Sequence, residues 1–593
     1  MRDPSIVLAV LRDRGERGLP IKRVHRILYN PELFLRAYGN IYGNPGALTP
    51  GSDPDDTVDG MSLRRIEKII KKLQDGTFEW KPVRRAHIPK KDGGKRPLGV
   101  PNWTDKLLQG ALKIILDAYY EPQFSTHSHG FRPRRGCHTA LAEIHRTFAG
   151  TNWFVEGDIK GCFDNIDHQI LVNVLARDIH DNRFVDLIAK LLKAGYMEDW
   201  KYYKTYSGTP QGGVISPILS NIFLHQLDQF VETVLFPTYN KGKRRKSNPA
   251  YGKFTTRSRT AYAKGNLEEA RHWRQISRNL PSQDPLDPEF RRLRYVRYAD
   301  DFILGFIGPK AEAREIRKQL ADFLSSIGLE LSFEKTRITH ARTDKALFLG
   351  YEIRIMQCNT RRSKRKSGSS MRSINGKVWF GVPRVVARNV IRRYTRKGKV
   401  IHRPELLVDT PFSIVHNYQV VYRGIAEYYA MAYNRSRALS RLKYVMGTSL
   451  GKTLAAKLDI SVAEVFRRYS AIRHIDGARR KILCVKVPRE GKPPLETHWG
   501  GISLARKTRA YIQDTPPQSW SKRTELVERL LADTCEICGS HESIQVHHIR
   551  ALKDLDKPGR QARTEAEKRM AARKRKTLVL CQRCHNLTHQ GLL

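Results

Sequence analysis

The chain reads as an α+β multidomain protein with a small metal-bound module at its end. Three observations carry that expectation. From Trp153 to Gly350 strand-like runs alternate with helical ones. After a basic, Ser-rich segment at residues 360–373 the pattern turns mostly helical. The tail then holds two CxxC pairs. At 593 residues the chain is longer than one hydrophobic core sustains, so several domains are expected.

The elements follow in order. In SLRRIEKIIKKLQDG, Ser62 opens a helix, Ile66, Ile69, Ile70 and Leu73 line one face, and Gly76 closes it. AHIPKKDGGKRPLGVP reads as a basic hairpin-like loop, and a long helical pattern runs from Trp103 to Tyr120. Trp153 to Val155 is strand-like, with Asp158 at the strand's end. In RYVRYADDFILGFIG two strand-like runs flank a two-residue tip, the signature of a β-hairpin, which places Asp300 and Asp301 where the chain reverses. Residues 237 to about 292 interrupt this region as a basic insertion. Beyond 374, Tyr418, Tyr422, Ile425, Tyr429 and Tyr433 recur at helical spacing as a core stripe, while Arg423, Arg435, Arg437 and Arg441 are candidates for phosphate contacts. Pro-rich stretches at 491–494 and 514–518 read as linkers.

Composition narrows the function. With 107 Lys+Arg against 59 Asp+Glu, the formal charge is +48, and the pI is near 10.1. Such an excess points to a polyanionic partner, above all nucleic acid. No amphipathic helix has a clean apolar face for a membrane surface, and no stretch approaches the roughly 18 apolar residues of a spanning helix. MRDPSIVLAVLRDRGERG has only a short apolar run closed by charges, so no secretory signal is expected. Four of the eight cysteines are scattered and four form the CxxC pairs, the usage of a reducing compartment with one metal site.

A strand-end Asp158 and the pair Asp300–Asp301 make the carboxylate set that two-metal phosphoryl transfer requires. Two Mg²⁺ ions about 3.5–4 Å apart carry four positive charges, which clustered carboxylates neutralise and fix in place. Around these residues, GDIKGCFDNIDH, GTPQGGVISPILSNIFLHQLD and YADD resemble, in that order, the motifs of reverse transcriptases. IPKKDGGKRPLGVPNWTDKLLQGAL, SHGFRPRRGCHTAL, GLELSFEKTRI and FLGYEI are similar to blocks of group II intron-encoded proteins, and the resemblance covers nearly the whole chain.

That resemblance implies roles. Asp158, Asp300 and Asp301 match the catalytic metal-binding aspartates, Lys90 and Arg96 the cations that hold the incoming triphosphate, and Phe163 the aromatic gate against a ribose 2′-OH. Gln211 matches a glutamine near the nucleotide sugar, Lys335 a lysine near the phosphates, and the FLGY segment at 348–351 would line the primer. It also implies an architecture. An N-terminal RNA-binding or fingers extension spans 1–80, and right-hand-like fingers and palm span 81–355. A helical thumb and maturase domain (374–480), a DNA-binding linker region (481–530) and a nuclease domain (531–593) follow.

In the tail, CEICGSHESIQVHHIRALKDL and KTLVLCQRCHNLTHQ place Cys535, Cys538, Cys581 and Cys584 at the spacing of a tetrahedral Zn²⁺ site. A zinc ribbon that only binds nucleic acid needs no more than this. His547-His548 at the end of a short strand, and His585 and His589 four apart on a helix face, resemble the ββα-metal element of HNH endonucleases. By that resemblance His547, His585 and His589 hold one metal and His548 is the general base. One departure is that Lys576-Thr577 stands where many HNH proteins have Asn.

The expected protein is a group II intron reverse transcriptase and maturase with an HNH endonuclease domain. It would use two Mg²⁺ at the polymerase site, one at the nuclease site and a structural Zn²⁺. Its partners would be intron RNA, double-stranded target DNA and dNTPs, with no membrane. It would work in the cytoplasm or nucleoid if bacterial, or in an organelle matrix if organelle-encoded. The alternatives are a catalytically silent splicing factor and another RNA-templated polymerase. Phe163 and the nuclease-like tail disfavour the second, and the complete sets of aspartates and histidines speak against the first.

Overall fold

A computed structural model describes residues 3–593, apart from 45, 90–93, 200, 206, 209–211, 286, 359, 362, 365–369, 476, 490–491, 513–523, 552–554, 556–563 and 574. Near the N-terminus, helix α1 (Pro31–Ile41) is capped by Asn30, whose side chain accepts from the Glu32 amide. Helix α2 (Leu63–Asp75) has the expected ends: the Ser62 hydroxyl accepts from the Arg65 amide, and Gly76 closes it at φ 74°. A cap of this kind contributes roughly 1 kcal/mol. The basic loop is a true antiparallel hairpin of β1 (Val83–Pro89) and β2 (Lys95–Val100), whose tip, with Lys90, lies outside the described residues. Helix α3 (Trp103–Tyr120) matches the predicted span and is buried along most of its length.

The centre is a four-stranded antiparallel sheet. Strand β3 (Trp153–Asp158) lies beside β5 (Asp301–Ile307), which pairs with β4 (Arg292–Tyr298), while β6 (Arg337–His340) flanks β3 on the other side. Helices α4 (Cys137–Thr147) and α5 (Ser216–Phe230) pack nearby. Between α5 and β4 the insertion forms a polar helical hairpin, α6 (Pro249–Ala263) against α7 (Leu267–Asn279).

Beyond residue 374, α8 (Pro411–Tyr428) packs on α9 (Arg435–Leu458). Tyr418, Tyr422 and Tyr429 are buried as a core stripe, but the helix ends at Tyr428, so Tyr429 and Tyr433 lie in the connection. Strands β7 (Ala478–Arg489) and β8 (Lys492–Gly500) contact α8, with Trp499 buried against Tyr418 and Tyr422. The expected boundary at 480/481 therefore falls inside a strand, and Leu483, Val485 and Trp499 pack in one core with Tyr418 and Tyr422. The tail comprises α10 (Glu525–Leu531), the antiparallel pair β9 (Ile544–His548) and β10 (Thr577–Cys581), and α11 (Gln582–His589). Among the described residues, no helix is long and apolar enough to cross a membrane.

Candidate functional sites

The register of the central sheet places Asp158 opposite Asp301. The loop between β4 and β5 consists of Ala299 and Asp300, so Asp301 is the first strand residue and not part of the tip. Ala299 holds the left-handed φ of 55°, a conformation that an L side chain adopts only with support. The support comes from below. Arg297, fully buried, donates from Nη1 to the Ala299 carbonyl at 2.9 Å and to Asn221 Oδ1 at 3.2 Å. Asn221 in turn donates to the Gly130 carbonyl at 2.9 Å. Gly130 lies so close to the tip that a Cβ there would meet the Ala299 amide nitrogen at 2.3 Å. The SHGFRP stretch is thus a buttress under the hairpin, itself anchored where Glu143 on α4 bonds His127 and His129.

Crowding governs the electrostatics. Burial, then the charges of Asp300 and Asp158, push Asp301 up to about 7, and burial raises Asp300 as well. Lys335 Nζ lies 2.8 Å from Asp158 Oδ2, and Arg96 on β2 is close enough to lower Asp300. An oxygen-only donor set carrying this much repulsion fits hard divalent cations. Phe163, half-buried, meets Phe131 edge-on at 6.3 Å. Lys90 and Gln211 lie outside the described residues; of the expected set the structure brings Asp158, Asp300, Asp301, Arg96 and Lys335 together.

Of the four arginines expected on RNA, Arg423, Arg437 and Arg441 are exposed. Arg435 is not. It is 1 % exposed, donates from Nε to the Ala426 carbonyl and from Nη1 to the Ala505 carbonyl, and lies near Glu427. Its charge braces the start of α9, which removes it from the list of phosphate contacts.

In the tail, the sulfurs of Cys535, Cys538, Cys581 and Cys584 form one cluster whose ligand atoms lie within 4.8 Å of one another, as a thiolate metal site demands. A second cluster equally tight holds His547, His585 and His589 together with Asp59. The three imidazole centroids are 4.7–5.3 Å apart. His547 Nδ1 and His585 Nε2 are buried with no hydrogen-bond partner among the described residues, and so suit a cation. The aspartates at the palm are not drawn into so tight a group. His548 is buried, which lowers it to about 4 against the opposing charge of Asp59, and its Nε2 is bonded to Tyr38 Oη at 2.9 Å. Where Asn was absent, Thr577 Oγ1 accepts from Arg529 Nη2 at 2.8 Å, and the Lys576 carbonyl accepts from the Ile549 amide at 3.0 Å. Sequence reading missed Asp59 and Tyr38, which come from the far end of the chain.

A sheet carrying three aspartates at its strand ends, a helical domain and a ββα tail point to a nucleic-acid polymerase joined to an HNH nuclease. Comparison with known families agrees. Residues 88–248 and 269–353 match the reverse transcriptase (RNA-dependent DNA polymerase) family, with the gap falling in the α6–α7 insertion. Residues 384–485 match the type II intron maturase family, and 535–585 the AI2M/AI1M-like HNH endonuclease family. The chain is 38% identical over 589 residues to the group II intron-encoded protein LtrA of Lactococcus lactis subsp. cremoris, covering 95% of each. It is 36% identical over 583 residues to the 91 kDa protein in the cob intron of Schizosaccharomyces pombe, covering 95% of this chain and 69% of that one. Protein YkfC of Escherichia coli is 33% identical over 346 residues, 57% of this chain and 84% of its own. The chain belongs to the group II intron-encoded proteins, as an RNA-directed DNA polymerase and maturase with an HNH endonuclease domain.

Proposed function

We propose that the chain binds its own intron RNA, assists its splicing, nicks one strand of a target duplex and extends the new 3′-hydroxyl along the RNA. The observation that supports this most directly is the palm geometry: Asp158 and Asp301 in register, Asp300 at the tip and Lys335 against Asp158. Two Mg²⁺ ions held by these aspartates would supply the hydroxyl activation and charge neutralisation of phosphoryl transfer. Arg96 and Lys335, with Lys90 from the hairpin tip, bind the oxygens of the incoming triphosphate. Phe163 and Gln211 bound the pocket around its sugar. Arg423, Arg437 and Arg441 meet RNA phosphates along the exposed faces of α8 and α9. At the tail the four cysteines hold a structural Zn²⁺. His547, His585 and His589 would hold a divalent cation, which would supply charge neutralisation at a phosphate, and His548 would take the proton of the attacking water at Nε2. The setting follows the host: cytoplasm or nucleoid in a bacterium, the matrix in an organelle.

Two variants test the reading. Asp300→Ala in the protein–intron complex is expected to abolish primer extension while splicing assistance persists. His548→Ala should lose nicking and synthesis on intact duplex, and a pre-nicked duplex should restore synthesis. Extension by Asp300→Ala at near the parent's rate would overturn the palm assignment. Nicking by His548→Ala at the parent's rate would reduce the tail to a DNA-binding module.

A further inference from the structure

Asp59 reaches the nuclease histidines from the loop before α2, 489 residues before His548 and 530 before His589. Its Oδ2 lies 2.6 Å from His589 Nε2 and 3.3 Å from His585 Nε2, and its Oδ1 lies 3.5 Å from His547 Nδ1. Oδ1 also accepts the His548 amide at 2.7 Å.

Backbone pairing places this carboxylate. The Gly60 amide donates to the Val546 carbonyl at 3.0 Å, and the Val546 amide donates to the Met61 carbonyl at 2.9 Å, so residues 60–61 extend the free edge of β9. Arg64 adds a bond to Ser543 at 3.1 Å. Gly60 makes the turn at φ 72°, a conformation that a side chain would strain. The Tyr38 hydroxyl from α1 meanwhile occupies Nε2 of His548.

The donor count has a chemical meaning. Ligand–metal distances of about 2.0–2.2 Å in a tetrahedron put neighbouring donors a little over 3 Å apart. In a four-coordinate site, such as Zn²⁺ or Co²⁺ takes, three imidazoles and one carboxylate at these distances would leave no corner open. Catalytic sites of this kind keep a position for water or substrate, whereas closed four-ligand shells are structural.

We propose that Asp59 is a fourth ligand of the nuclease metal, and that Asp59 and Tyr38 together hold the HNH site shut against DNA until the N-terminal region moves off it. The proposal rests on the reading of His547, His585 and His589 as metal ligands. The carboxylate fills the corner that the scissile phosphate would take, and its charge repels a phosphate. Tyr38 engages the imidazole nitrogen that would otherwise face the attacking water.

The test uses the full chain, zinc-loaded beforehand, titrated with Co²⁺, whose visible absorption reports coordination number. The parent is expected to show the intense band of a four-coordinate site. In Asp59→Ala the apparent Kd should rise at least about tenfold, the effect of losing even an outer-shell partner, and the band should shift as water takes the carboxylate's place. With Co²⁺ at the site, Asp59→Ala and Tyr38→Phe should each nick plasmid DNA faster than the parent without intron RNA. Asp59→Asn, nearly the same shape, serves if Asp59→Ala melts early. An unchanged Kd and band in both Asp59 variants would overturn the fourth ligand, and slower nicking in them would overturn the shut state. Unchanged Co²⁺ binding by His585→Ala would instead overturn the three-histidine site beneath it.

Discussion

Arg297 and Asp228 form a two-pronged ion pair with no exposed surface on either side chain, Nε to Oδ1 at 2.7 Å and Nη2 to Oδ2 at 2.6 Å. Tyr295 donates a third bond to the same carboxylate at 2.9 Å. Burial would raise Asp228, but the Arg297 guanidinium outweighs it and holds the group at about 2. The remaining nitrogen of Arg297 grips the Ala299 carbonyl, one residue from Asp300. The pair is therefore the base of the hairpin that carries Asp300.

Removing one partner of such a pair leaves a buried charge unmatched. Asp228→Asn should destabilise the protein by roughly 3–5 kcal/mol, read by denaturant unfolding, and extension should fall with it because the tip loses its support. Arg297→Lys should not rescue either property, since an ammonium cannot present the planar fork. A stability close to the parent's in Asp228→Asn would contradict the account.

Phe163 stands half-buried against Phe131, and the proposed gate against a ribose 2′-OH assigns its ring to the sugar. Phe163→Ala should raise incorporation of ribonucleotides relative to deoxyribonucleotides in single-nucleotide extension assays. Equal discrimination by both proteins would take Phe163 out of the site.

The arginines of α9 divide by burial. Arg437→Glu with Arg441→Glu should weaken intron binding and flatten its dependence on salt, while extension on a generic template persists. Arg435→Ala should instead lower Tm and leave the salt slope of the folded protein unchanged, because its guanidinium is spent on backbone carbonyls. If Arg435→Ala changes the salt slope and not the melting, the two roles are reversed.

Glu143 offers a pH test. Burial would raise it, but hydrogen bonds and charge from His127 and His129 bring it from 4.5 down to about 2. A carboxylate whose folded pKa is depressed stabilises fully above its unfolded value and loses that contribution as pH falls toward the folded one. The difference in Tm between the parent and Glu143→Gln should thus be largest near pH 6 and narrow from about pH 4.5 downward. A difference that widens on acidification would show that Glu143 is not held charged by the two histidines.

What was legible in the sequence had local causes. Ser62 and Gly76 mark their helix ends because caps act within a turn, the span of α3 follows from periodicity, and the CxxC spacing states a metal geometry outright. What was not legible depends on partners far along the chain. Asp59 lies among three other aspartates in SDPDDTVDG, which reads as a solvated turn, and only the fold brings it to His589. Arg435 shares its charge with Arg437 and Arg441, and nothing in a run of arginines tells which one turns inward. Arg529 bonds Thr577, where many HNH proteins have Asn, from a helix that no motif announces.

Met61 and Val546 are both wholly buried, and the core that contains them also takes in Tyr38, Leu526, Val527 and Leu530. The nuclease module is thus distinct as chemistry while it shares its packing with the N-terminal region. A lineage that sheds the tail uncovers a stripe of grease along the first helices. Such a tailless descendant stays soluble only by rewriting Tyr38, Met61 and their neighbours as polar residues. The N-terminal helices of tailless relatives would carry, in their surface composition, the imprint of the domain they lost.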